Sequence, residues 1–188
     1  PALAEGHDVL HGELALAQAL AAVLAGALVA LGHVAAVEPH PAFDQAVEVV
    51  LACLRENDFQ TEQIDLNEKH IEFCQNCRKC AQPPGRSRQE CRHDDDMDNI
   101  LAKLDTSDVI ILSSPVNFFS VTAIMKRFIE RMLVYVYWPW GSAIPKPRID
   151  KPTKQALIIT SSAAPAWLAR LMMRHPRTIL KRAVVLAD

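Results

Sequence analysis

The run DVIILSSP, residues 108–115, constrains the fold more than any other stretch of the chain. Val109 to Leu112 are apolar without a polar alternation, so both faces of a strand built from them must be covered, as in the middle of a parallel sheet. A helix is predicted after it, from about Thr122 to Val134, and QALIITSS then supplies another buried strand, Gln155 to Thr160. Upstream, FDQAVEVVLACLRE (Phe43 to Glu56) has helical spacing at Ala46, Val49, Val50, Cys53 and Leu54, which makes Cys53 a core residue. A strand is expected around Thr61 to Leu66. DDDMDNILAKLD then opens a helix with Ile100, Leu101 and Leu104 on one face, and Asp94, Asp95 and Asp96 read as its cap and first-turn charges rather than as metal ligands. Ala27 to Leu31 followed by Gly32 reads as a short buried strand ending in a turn. Strands alternating with helices at this spacing predict an α/β fold with a doubly wound parallel sheet.

The N-terminal part differs from the rest. Residues 1–54 contain no Ser, Thr, Asn, Met, Tyr, Trp, Lys or Arg. Leu14 to Val37 is free of formal charge over 24 positions, long enough for a membrane span. Alanine dominates it, Gln18 and His33 interrupt it, and Glu13 and Glu38 flank it where an orienting Lys or Arg would be expected; a buried helix running into a buried strand accounts for it better. The division expected is an N-terminal extension of open origin, residues 1–26, and a single α/β domain, residues 27–188. Twelve Lys/Arg between residues 126 and 182 face only Glu130 and Asp150. That local excess suits a phosphate-bearing ligand, whereas the near-neutral chain as a whole argues against nucleic acid. Five cysteines, odd in number and without a secretory n-region, point to a reduced, cytoplasmic setting.

In an open parallel sheet, ligands sit beyond the carboxyl ends of the strands. Two such ends stand out: SSPVNFFSVTA (Ser113 to Ala123) and TSSAAPA (Thr160 to Ala166). Their small and hydroxyl residues let a flat ligand approach the backbone, although ordinary strand-to-helix turns with serine caps fit the local chemistry as well. Four of the cysteines lie in CQNCRKCAQPPGRSRQEC: Cys74, Cys77 and Cys80 at two-residue gaps, then Cys91. The spacing suits iron–sulfur ligation better than zinc. A metal-free thiol loop solvated by Arg78, Lys79, Arg86, Arg88 and Arg92 is the competing reading. YVYWPWG, Tyr135 to Gly141, reads as a loop packed on the domain or on a second copy of the chain, with stacking on flavin or nicotinamide as the alternative.

Taken together, DDDMDNILAKLDTSDVIILSSPVNFFSVTAIMKRFIERM, CQNCRKC, YWPWG and ITSSAAPA closely resemble the NADPH-dependent FMN reductase branch of the flavodoxin-like superfamily, over roughly Phe43 to Leu180. The resemblance implies a flavodoxin-like fold, FMN at the strand ends and NAD(P)H as co-substrate. By matched position, Ser114, Pro115, Val116, Asn117, Phe118 and Phe119 would wrap the isoalloxazine ring, and Thr160, Ser161, Ser162 and Ala163 would line its other side. No side-chain acid or base is required, so no catalytic residue is assigned. The family's hydroxyl-rich phosphate loop is replaced by HVAAVEPHPAF, which leaves Gly32 and His33, with His40, as phosphate candidates and implies weakened FMN binding. The chain reaches Asp188 before the family's fifth strand would form, which implies a sheet lacking its last strand or an incomplete chain.

Three functions follow as expectations: an FMN-dependent NAD(P)H oxidoreductase, an iron–sulfur flavoprotein electron carrier with the cluster on Cys74, Cys77, Cys80 and Cys91, or a degenerate flavodoxin-like module without flavin. The expected partners are a small-molecule or protein electron acceptor and a second copy in a homodimer.

Overall fold

The computed structural model describes residues 41–149, 154–162, 168 and 174–187, so the strand expected at Ala27 to Leu31, the candidates Gly32, His33 and Ala163, and the extension 1–26 lie outside the described residues. Helix α1, Pro41–Glu56, buries Val47, Leu51 and Leu54 against Val109 and Ile111, with Val50 packed alongside. This corrects the expected stripe: Val49 is 68% exposed and Cys53 is exposed rather than in the core. The helix carries apolar residues on most of its circumference, so its own periodicity cannot choose a face; the strand beneath it does.

A second correction concerns residues 61–66, which form no continuous strand among the described residues, Asp65 alone taking a bridge position. Ile64 and Leu66 are buried, but the Asp65 carboxylate accepts the Asn67 backbone N–H at 2.9 Å and turns the chain into a short 3-10 turn, Leu66–Glu68. That local bond competes with strand pairing. After the cysteine-rich loop come α2 (Met97–Thr106) and β1 (Val109–Ser113). A hairpin of β2 (Val116–Asn117) and β3 (Ser120–Val121) leads to α3 (Ala123–Arg131), which continues as a 3-10 turn, Met132–Tyr135. A second hairpin pairs β4 (Val136–Tyr137) with β5 (Lys146–Pro147), and β6 (Gln155–Ile159) and α4 (Arg174–Leu186) complete the described elements.

Strands β1 and β6 are parallel, in register from Val109 opposite Gln155 to Ser113 opposite Ile159. All five residues of β1 are buried, and its alternation divides the core. Val109 and Ile111 face α1, whereas Ile110 and Leu112 join Leu101 and Leu104 of α2, Met125 and Phe128 of α3, and Leu180 and Val184 of α4. Helices therefore cover both faces of the strand, which is what its uninterrupted apolar run requires. Strand β6 departs from expectation: it is half-buried at best, with Gln155 and Ala156 exposed, because its outer edge has no strand beside it among the described residues. No helix among the described residues is long and apolar enough to cross a membrane.

Candidate functional site

The carboxyl ends of β1 and β6 are stitched together beyond their last paired residues. Ser114 donates its backbone N–H to the Ile159 carbonyl at 3.0 Å, and Val116 donates to the Ser161 carbonyl at 2.9 Å. The two expected ring-binding loops are thus one surface. Ser114 itself is fully buried; its hydroxyl accepts the Thr122 N–H at 3.2 Å and donates to the Pro115 carbonyl at 3.1 Å. It shapes the loop and has no spare donor for a ligand. Thr122 in turn caps α3, its hydroxyl accepting the Met125 N–H at 3.3 Å.

Between β2 and β3, Asn117 pairs with Ser120, so Phe118 and Phe119 form a two-residue turn with φ of 45° and 64°. Such a turn normally takes glycine or asparagine, and two aromatic side chains there carry backbone strain. The rings are 91% and 58% exposed and meet edge to face, with centroids 6.0 Å apart. An apolar pair held out on a strained turn, beside the half-buried Thr160, Ser161 and Ser162, offers a flat aromatic ligand a stacking surface flanked by hydroxyl-bearing residues. The ring end of FMN fits this arrangement. The buried Ser113 hydroxyl just below it has no partner among the described residues.

The cysteine loop lies at the opposite end of α3. Asp95 and Arg131, 0% and 1% exposed, pair at 2.5 Å and anchor it; Arg131 also donates to the Glu72 carbonyl at 2.9 Å, and Asp95 accepts the N–H groups of Glu72 and Met97. Burial alone would raise the Asp95 carboxyl, but Arg131 and those N–H groups bring it below the ordinary carboxylate value. Burial likewise works against the Arg131 charge, and the hydrogen bonds and charges of Asp95 and Cys91 outweigh it. Arg148, also buried, binds no carboxylate among the described residues; it donates to the carbonyls of Val134, Pro83, Gly85 and Cys80 at 2.9–3.0 Å and ties the middle of the loop to the end of α3.

Cys74, Cys77, Cys80 and Cys91 are all free thiols of intermediate exposure. They are near neighbours: burial, then the charges of Cys91, Cys74 and Cys77, push the Cys80 thiol up to about 11. The donor chemistry suits an iron–sulfur cluster. The geometry does not: among the described residues no three Cys, His or acidic side chains converge closely enough to hold a metal ion.

Residues 43–185 match the family of NADPH-dependent FMN reductases. The chain belongs to that family. Its flavodoxin-like α/β fold agrees with the parallel β1–β6 pair sandwiched between helices. An iron-sulfur flavoprotein of Archaeoglobus fulgidus is 34% identical over 116 residues, which cover 58% of this chain and 50% of the relative. One from Methanocaldococcus jannaschii is 35% identical over 85 residues, 45% and 42% of the two chains. The alignments thus span half or less of the length of these relatives. Among solved structures, an apo NADH:FMN oxidoreductase superposes with a TM-score of 0.48 at 13% identity, covering 86% of this chain and 68% of that one.

For this FMN reductase family member, the structure brings the residues from Ser114 to Phe119 beside Thr160, Ser161 and Ser162. The reading of Asp95 as a cap holds, since its carboxylate takes the Met97 N–H, whereas Arg78, expected to be solvated, stacks on two indoles; sequence reasoning missed Arg131, Arg148 and the pairing of Asp95 with Arg131. Arg131 left a readable signal: it falls three residues after Phe128, on the buried stripe of α3, where an arginine demands a partner. The partner's position, 36 residues upstream, left none.

Proposed function

We propose that the chain is an FMN-dependent oxidoreductase that draws electrons from NAD(P)H, a reading that extends its family membership to its own activity. The observation that carries it is the joined surface of the two strand ends with the strained, exposed Phe118–Phe119 turn. FMN, when bound, supplies the two-electron exchange with a reduced nicotinamide. The protein's part is to hold and shield. Phe118 and Phe119 offer stacking surface, the bonds from Ser114 and Val116 keep the two loops at a fixed separation, and Thr122 starts α3 from the same loop. No side chain moves a proton.

The visible spectrum of purified protein, followed by anaerobic addition of NADH or NADPH, tests this. A flavin spectrum that bleaches with either nicotinamide is expected; a colourless protein that takes up no added FMN refutes it and leaves a flavodoxin-like module without flavin. Replacing Pro115 and Asn117 by bulky residues is expected to release FMN while far-UV circular dichroism stays unchanged.

Four free thiols, together with relatives named iron-sulfur flavoproteins, favour a second reading, an electron carrier whose cluster would require Cys74, Cys77, Cys80 and Cys91 to come closer together than they stand here. Iron and acid-labile sulfide in protein prepared without oxygen, lost on Cys77→Ser, support it; absence of both excludes it.

A further inference from the structure

The tryptophan loop, expected to pack on the domain or on a second copy, is fastened to the cysteine loop of its own chain. The Arg78 guanidinium lies between two indoles, its central carbon 3.5 Å from the ring centre of Trp138 and 4.6 Å from that of Trp140. Its Nη2 donates to the Trp138 carbonyl at 3.0 Å, and the Gln82 amide donates to the same oxygen at 2.8 Å. The Gln82 side-chain oxygen accepts the Trp140 backbone N–H at 2.9 Å, and the Trp138 backbone N–H donates to the Ala81 carbonyl at 2.7 Å.

Two features give this clamp more than a packing role. Arg78 and Asn76, the residues on either side of Cys77, both hold positive φ, 55° and 50°. Asparagine tolerates that conformation; an arginine adopts it only when its surroundings hold it there. Arg78 is also a cation that no carboxylate pairs among the described residues, and its buried Nε has no acceptor. The stack on the indoles compensates part of that cost. Cys77 is thus next to a strained residue, and Cys80 follows within the short 3-10 turn Lys79–Ala81 that begins at it.

We propose that Arg78 is a positioning residue that couples the thiols of Cys77 and Cys80 to the tryptophan loop, so that covalent modification of either thiol releases Arg78 from between Trp138 and Trp140. Because the backbone of Arg78 is set by its side-chain clamp, displacement of the neighbouring Cys77 or Cys80 and opening of the clamp are one event. The device rests on reading these thiols as reactive groups, and it needs no metal to operate.

The test uses the full chain carrying Trp167→Phe, in which Trp138 and Trp140 are the remaining indoles. Acrylamide quenching of their emission is measured before and after treatment of the reduced protein with iodoacetamide. Each alkylation joins one thiolate sulfur to the acetamide carbon and releases iodide and the thiol proton; mass spectrometry counts the modified residues. On alkylation the quenching constant is expected to rise roughly twofold, as the half-buried Trp138 becomes as accessible as the exposed Trp140. Arg78→Ala is expected to show the raised value before alkylation, with no further rise, and Arg78→Lys to lie between, since it keeps the charge without the planar stack. Cys77→Ser with Cys80→Ser is expected to abolish the response while Cys74 and Cys91 are still modified. Unchanged quenching in alkylated wild type, or a wild-type value in Arg78→Ala, overturns the proposal. Iron analysis decides the cluster reading separately, because the quenching comparison is made on metal-free protein.

Discussion

The loops at the two ends of α3 are held in place by different physics. At its start, the ring loops grow directly out of β1 and β6, and two backbone bonds continue the ladder into them. At its end, about 13 Å away along nine residues, the cysteine loop has almost no regular structure. Buried arginines hold it instead: Arg131 through a carboxylate and a carbonyl, Arg148 through four carbonyls. A loop that extends a sheet inherits the sheet's stability. One built on buried charges depends on each charge keeping its partner.

The largest effect should come from breaking the Asp95–Arg131 pair. Asp95→Ala leaves Arg131 buried without its counter-charge and is expected to cost about 3–5 kcal/mol, read as a lowered midpoint in urea unfolding. The pH dependence has a definite sign. The folded-state pKa of Asp95 lies below its ordinary 3.8, so the native state binds fewer protons, and the stabilisation is present above that value and lost as pH falls beneath it. Asp95→Asn should flatten this part of the acid-unfolding curve, while the ring loops, which contain no carboxylate, contribute no such slope.

Arg148→Met comes next. It strands carbonyls in the 80–85 stretch that hydration partly rescues, at a cost of about 2 kcal/mol. Limited proteolysis is expected to shift toward residues 78–88 while FMN retention stays at the wild-type level. A parallel loss of flavin would show that the two loops are not independent.

The smallest effect has the opposite sign. Phe119→Gly removes a side chain from a left-handed position and is expected to stabilise the fold by about 1 kcal/mol in thermal unfolding, while weakening FMN binding. If stability falls instead, the turn is held by ring packing rather than strained against it.

Much of this architecture was legible beforehand for a simple reason. The apolar run of β1, the predicted helices near Met97 and Ala123 and the strand at Gln155 are local patterns, and burial on both faces allows few alternatives to a parallel sheet. That the loops after Ser113 and Ile159 meet followed because neighbouring parallel strand ends converge, whereas the ring-binding residues within them came from the family resemblance. Three features escaped the sequence. The buried face of α1 did so because a helix apolar on most sides is oriented only by the strand it meets. Residues 61–66 did so because the Asp65 carboxylate, bonded by the backbone and side-chain amides of Asn67, turns an otherwise strand-like segment into a 3-10 turn. The arrangement of Cys74, Cys77, Cys80 and Cys91 did so because it is set by Asp95, Arg131, Arg148 and the Arg78–tryptophan clamp. Cysteine spacing specifies which ligand atoms are available; where they stand is decided by charges and rings arriving from tens of residues away, which only the tertiary structure brings within bonding distance.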